Sequence, residues 1–541
     1  MSGTKNDEIT LLKAPEHALE ADLVDPTVED EGTAPSTEPG LGRRSFMSLS
    51  ALGLPVLATG CGDNAGGAGD GADETGGTGG DGDGDGDGDG DGDGDGDGDG
   101  DGDGGTPVAF DPDGIPEDTV LFPRTPMAGE MTKNRVMIAL YVSDGTEKVL
   151  RVWRPGRSPG EVFLVAEQTV SPDSNGFAKV WVDGLSSGTW YTYAMFDGSA
   201  DTGFSGRSLI CQVRTALADD ALEPITVALA ACNGGYYDPN NPPSSPFTWS
   251  TMSVLANQYY DIFLHVGDQA YMDTVFSSGG AYETYLEAWG AFHSGGYREV
   301  FSKSGLYSTW DDHEVTDNGS LDPWSRAPED ISRIENAIDA YYTVMPIDAT
   351  TSNDPLWRSF RWGATVEFII LDCRYERSPR TQGEYISAAQ LAFLKDRLKN
   401  SPCHFKVVLN SVPFAILTGW FGVQAQDRWE GYPDQRQEII DFIDNENIEN
   451  IWWIAGDIHT TYVGNINESP GAGPGSRMKE ICVTSGNTNP VGGLLNGNQF
   501  EYRVGDPRVP VLTFDPVNNE VLVKIMDESG TIVYEEYLTY G

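Results

Sequence analysis

Between residues 126 and 215 short apolar and polar positions alternate, at 135–142, 149–153, 178–182 and 189–196, and turn-formers such as Ser-Asp-Gly and Pro-Gly break the runs. Alternation of this kind sends successive side chains to opposite faces of a strand. Its regular interruption predicts a small all-β, immunoglobulin-like sandwich. Within 185–193 the period places Tyr191 and Tyr193 on one face and Trp190 and Thr192 on the other. Nothing in this stretch gathers chemistry, so it reads as a packing and positioning module. Past Pro224 the pattern changes. Continuous apolar runs at 225–231, 262–266, 366–371, 406–409 and 451–455 alternate with helical stretches at 249–258, 281–292, 332–342, 388–399 and 435–445. Strands alternating with helices predict an α/β unit, a mixed sheet covered by flanking helices. Three last alternating runs, 509–514, 520–526 and 531–537, read as antiparallel hairpin strands. The pattern therefore divides the chain into a β domain over 120–218 and an α/β domain over 219–541.

The first 119 residues fit neither pattern. Arg43 and Arg44 precede a modest apolar run at 48–58, which reads as a twin-arginine export signal within residues 1–61 and makes the Tat machinery an expected partner. The run is too short to cross a membrane. Ala58-Thr59-Gly60-Cys61 resembles a lipobox, although Leu57 stands four residues before Cys61 rather than three. An acylated Cys61 would be the only membrane attachment of a periplasmic, cell-surface or secreted protein. Residues 62–119 form a Gly/Asp-rich linker, with Asp-Gly repeated twelve times from Asp81 to Gly104. Such a segment buries no apolar surface and repels itself, so it is expected to act as an extended tether.

Charge narrows the function classes. The chain carries 84 acidic and 34 basic residues, of which 26 and 4 lie in residues 1–104. The remaining surplus of acid argues against nucleic-acid recognition, which needs a basic footprint. An anionic substrate would have to be attracted locally, and bound cations are the means. Cys61, Cys211, Cys232, Cys373, Cys403 and Cys482 are too widely spaced for a paired-cysteine zinc site or a dense disulfide scaffold.

Candidate chemistry falls at the ends of the predicted strands. Cys232-Asn233 closes the first, His265-Val-Gly-Asp268-Gln-Ala-Tyr271 the next, and Trp310-Asp-Asp312-His313-Glu314 follows a short apolar run. Asn410 ends another strand, and Gly456-Asp457-Ile-His459 ends the last. Loops converge at that edge of an open α/β sheet. Gly267 and Gly456 are expected to allow tight turns that aim the following carboxylates inward. Two cations held close together by such residues would bind phosphate oxygens, lower the pKa of a bridging water and offset charge in an in-line displacement. His265, inside an apolar run, reads as a core histidine. Asp311 and Glu314 read as supporting or capping groups.

The order Gly-Asp-x-x-Tyr, Trp-Asp-Asp-His-Glu and Gly-Asp-x-His resembles the alkaline phosphatase D type of calcineurin-like metallophosphoesterases. The Ala-Cys pair, Leu371-Asp-Cys-Arg374-Tyr-Glu-Arg377 and the Gln390-Leu-Ala-Phe-Leu helix resemble the same family, over roughly residues 120–541. Two departures stand out: Asn233 follows the cysteine, and Gln-Ala rather than Tyr-Ile separates Asp268 from Tyr271. The resemblance implies a mixed-sheet sandwich with flanking helices behind an immunoglobulin-like domain. It implies that Asp268 bridges two metals, that Cys232 and Tyr271 bind the more buried one, and that Asp312, Asn410, Asp457 and His459 complete the shell. Asp312 and His313 would carry the catalysis, with His313 near the leaving group. Thiolate and phenolate ligands favour Fe3+ and an all-oxygen neighbour favours Ca2+, which is also the pair the resemblance implies. Arg374 and Arg377 either grip substrate phosphate or form a structural ion pair. The implied activity is hydrolysis of small phosphate monoesters or diesters, from nucleotides or lipids, for phosphate scavenging. Phospholipase D-like head-group cleavage is the close variant. A calcium-binding surface adhesin is the unrelated alternative, and it has no need of such a ligand set.

Overall fold

A computed structural model describes residues 107–156, 160–243, 247–316, 327–378, 382–417, 427–467, 475–489, 492 and 497–540. The twin-arginine segment, Cys61 and the Asp-Gly repeat lie outside the described residues. Among the described residues no helix is long and apolar enough to cross a membrane.

Two large sheets carry the α/β part. One runs, in spatial order, Ile532–Leu538, Glu520–Met526, Val509–Asp515, Ile225–Ala230, Ile262–Val266, Gly305–Thr309, Met127–Gly129, Arg135–Tyr141 and Phe177–Asp183. The other runs Arg358–Trp362, Val366–Ile370, Phe405–Leu409, Ile451–Ala455, Lys479–Cys482, Thr461–Asn465 and Phe500–Val504. The sheets stack face to face. Val227, Leu229 and Leu264 of the first share one buried cluster with Phe368, Val407, Trp452 and Ile454 of the second. The opposite faces take helices. Ala228, Ala230 and Phe263 pack with Trp289, Ile338 and Tyr341 from Tyr282–Phe292 and Pro328–Val344. Ile369, Val408 and Trp453 pack with Leu394, Ile439 and Ile443 from Ala388–Asn400 and Pro433–Asn445. Both faces of the central strands are thus apolar-lined, which is why these segments read as unbroken hydrophobic runs.

Ile225–Ala230, Ile262–Val266 and Gly305–Thr309 run parallel in the first sheet, and Val366–Ile370, Phe405–Leu409 and Ile451–Ala455 run parallel in the second. Consecutive strands therefore deliver the segments that follow them to one edge of each sheet.

The β segment has a third sheet, built on Glu161–Val170, Lys148–Pro155 and Trp190–Ser199. Tyr191 and Tyr193 are buried and Trp190 and Thr192 partly exposed, as the alternation requires. One feature is invisible to the strand pattern. Met127–Gly129 pairs in parallel with Gly305–Thr309, so strands on both sides of residue 218 share the nine-stranded sheet. Lys179 reinforces this join, donating to the carbonyls of Tyr342 at 2.8 Å and Ile347 at 2.7 Å.

Candidate metal centre

The residues that close these parallel strands gather in three overlapping groups. Cys232, Asp268 and His459 form one, Asp268, Asp312 and His313 the second, and Asp311, Asp312 and Asp457 the third, each with ligand atoms within 4.8 Å of one another. Asp268 belongs to two groups and Asp312 to two. Tyr271 adds its hydroxyl, which donates to Asp268 Oδ2 at 3.3 Å and lies 3.3 Å from His459 Nε2.

The local backbone explains the convergence. Cys232, Asp268, Asp457 and His459 all adopt positive φ, at 52°, 57°, 68° and 52°. Side chains other than glycine seldom occupy that region, and each such residue costs roughly 1–3 kcal/mol. Glu314 holds one of these turns, its carboxylate accepting from the backbone N–H of Asp268 at 3.0 Å, Gln269 at 2.6 Å and Asp311 at 2.8 Å. Its reading as a capping group is what the structure shows. Gly267 has φ 101°, and a Cβ there would lie 2.6 Å from that of Asp311. Gly456 needs no positive φ, contrary to the turn expected of it; a Cβ there would lie 2.8 Å from that of Ala231, so it serves close packing.

Electrostatics at the site is unbalanced. Asp268 Oδ1 and both oxygens of Asp312 are buried without a hydrogen-bond partner. Burial, together with the charges of Asp311, Asp312 and Glu314, pushes the Asp268 pKa well above the usual carboxylate range against the pull of His313. His313 feels the opposite balance. Burial disfavours its charge, but Asp268, Asp312 and Asp273 outweigh that and hold its pKa well above the ordinary imidazole value. Its Nδ1 pairs with Asp273 Oδ1 at 2.8 Å. Burial and the nearby His313 lower His459 to about 4, leaving a neutral imidazole. Buried, unpartnered carboxylate oxygens beside a neutral imidazole, a thiol and a phenol are costly alone and suited to cations. The donor set fits a metal centre.

The other expected residues fall close by. Arg374 is fully buried, with its guanidinium on Asp311, at 2.8 Å from Asp427, 2.5 Å from Asp457 and 3.4 Å from Asp312. Of the two readings of Arg374, an internal ion pair is the one its side chain makes. Arg377 pairs with Asp427 at 2.6 Å and stays slightly exposed. Asn410 is buried, but its side-chain oxygen accepts from Cys373 Sγ at 2.7 Å and Trp429 Nε1 at 3.1 Å. His265 bonds Tyr297 at 2.9 Å, and burial lowers it to about 3, as befits a core histidine. Three residues escaped the sequence reading: Asp273, Asp427 and Asn487. Asn487 carried the usual signal, a polar residue just past a strand, but Lys479–Cys482 was not among the predicted strands.

A family model for PhoD-like phosphatase matches residues 228–511, more than half of the chain and all the segments that meet here. The chain belongs to the PhoD-like phosphatase family, whose metallophosphoesterase chemistry implies the metal centre that these groups fit. Alkaline phosphatase D of Bacillus subtilis (strain 168) is 28% identical over 188 residues, an alignment covering 29% of this chain. It spans 32% of that relative's length. A solved structure of PhoD superposes with TM-score 0.65 at 19% identity, covering 79% of this chain and 90% of the other. Purple acid phosphatase PPD1 from yellow lupin (Lupinus luteus) seeds superposes with TM-score 0.53 at 13% identity, covering 77% and 75%. At these identities the two structures establish the shared mixed α/β fold.

Proposed function

We propose that this chain is an exported, metal-dependent phosphoesterase that hydrolyses phosphomonoesters, releasing phosphate, or phosphodiesters, releasing a phosphomonoester. The observation that carries the reading is Asp268, shared between two ligand groups and set beside His313 and beside Asp312, whose buried carboxylate oxygens accept no hydrogen bond. Cys232, Asp268, Tyr271 and His459 would hold one cation. Asp268, Asp312, Asp457 and Asn410 would hold its neighbour once the Asn410 carboxamide is released from Cys373 and Trp429. The thiol and phenol favour Fe3+ in the first position and the oxygen donors Ca2+ in the second. When bound, such a pair supplies Lewis-acid polarisation of the phosphate and offsets transition-state charge.

The chain's own side chains do the rest. With Nδ1 on Asp273, proton transfer to the leaving oxygen falls to His313 Nε2. Arg374 fixes Asp311 and Asp457 in place through its ion pairs, and Arg377 is the arginine we assign to the substrate phosphate. Export is supported by Arg43 and Arg44, and anchoring by Cys61.

Hydrolysis of p-nitrophenyl phosphate and bis(p-nitrophenyl) phosphate by the full chain and by Asp268→Ala tests the reading. Turnover by the wild type that the variant loses, together with its metal, is expected, and the ratio of the two rates sorts monoesterase from diesterase. Equal turnover by both proteins would overturn it.

A further inference from the structure

The segment after Lys479–Cys482 lies across the Cys232 turn. Ser485 N donates to Ala231 O at 2.8 Å, and Gly486 N and Asn487 N both donate to Cys232 O, at 3.1 and 3.0 Å. Thr484 Oγ1 donates to Asn487 O at 2.7 Å, and Thr251 Oγ1 to Ser485 O at 2.6 Å. Gly486 is pressed against the Asn233 carbonyl, with no room for a Cβ. Five hydrogen bonds therefore fix residues 485–487, two of them on the Asn487 backbone itself, before its side chain is considered. That side chain points at the ligand groups: Nδ2 donates to the Tyr271 oxygen and lies 3.1 Å from His459 Nε2. No other described side chain bonds both residues. The Tyr271 hydroxyl and His459 Nε2 also lie within hydrogen-bonding distance of each other, at 3.3 Å. The Asn487 amide ties the phenol oxygen of this pair to the segment over Cys232.

We propose that Asn487 is a positioning residue of the metal centre, its amide N–H donating to the Tyr271 oxygen and so orienting that oxygen, which keeps a further lone pair, toward the cation position it shares with Cys232, Asp268 and His459. The inference rests on the reading of this site as a metal centre. Hydrogen-bond partners that orient metal ligands are commonly worth about 10–100-fold in metal affinity.

The test is calorimetric titration of Zn2+ into the chelator-stripped full chain, for the wild type, Asn487→Ala and the similarly sized Asn487→Leu, with metal-free melting temperatures measured alongside. Both variants are expected to melt with the wild type while their Zn2+ dissociation constants rise about 10–100-fold. Unchanged affinity in both would overturn the assignment. So would affinity lost only in step with metal-free melting, which would make Asn487 a packing residue. A wild type that takes up no Zn2+ would instead strike the metal-centre reading itself.

Discussion

His313 shows how one side chain acquires a role from its surroundings. Buried with no neighbours, an imidazole sheds its proton; three carboxylates reverse that, and Asp273 Oδ1 at 2.8 Å sets its orientation. His313→Ala removes the proposed proton donor and leaves Cys232, Asp268 and His459 intact. It should retain metal while turnover falls about 10²–10⁴-fold, the usual worth of general acid catalysis. Equal loss of metal, measured by elemental analysis, would contradict the assignment. Asp273→Asn should separate the two roles of the carboxylate. A raised pKa keeps the imidazole protonated to higher pH, so activity that needs the acid form is present at low pH and lost as pH rises through that pKa. Removing Asp273 lowers the pKa, and the alkaline limb of the rate profile should move to lower pH. An unmoved limb would detach His313 from that step.

At the scale of elements, the site is a set of strand ends bent into unusual backbone. Four of its residues share positive φ, and that strain persists because the neighbouring turns are tightly packed. Gly486→Ala should displace the segment over Cys232, costing about 1–3 kcal/mol through overpacking. A lowered melting temperature with weakened metal binding is expected, and a neutral substitution would show that the segment has slack. Much of this was legible in advance. The runs at 225–231, 262–266 and 451–455 are apolar on both faces and end in Cys232, Asp268 and Asp457, so strand, terminus and chemistry coincide. Lys479–Cys482 and Thr461–Asn465 were not, being short and bearing Lys479, Glu480 and Asn465 among their apolar residues. Asn487 was lost with them. Pairings between distant segments left no local signal either. The parallel join of Met127–Gly129 to Gly305–Thr309 and the bonds from Arg374 to Asp311 and Asp457 are set by topology. So is the hydrogen bonding that turns the Asn410 carboxamide toward Cys373 and Trp429.

Across the whole molecule, two stacked sheets with helices outside hold the strand ends together and gather several buried carboxylates around Arg374 and His313. The chain is also strongly acidic, so anionic substrate gains no help from its general field. On the proposed reading, the attraction of phosphate then falls to cations held at Asp268 and Asp312. The most direct measurement is turnover of bis(p-nitrophenyl) phosphate by the chelator-stripped full chain as metal is restored, with bound metal per chain recorded at each point. The account predicts no turnover without metal and a rate that rises in proportion to occupancy until the site is full. Full turnover in the metal-free chain, or metal bound to saturation with no gain in rate for mono- and diesters alike, would contradict it.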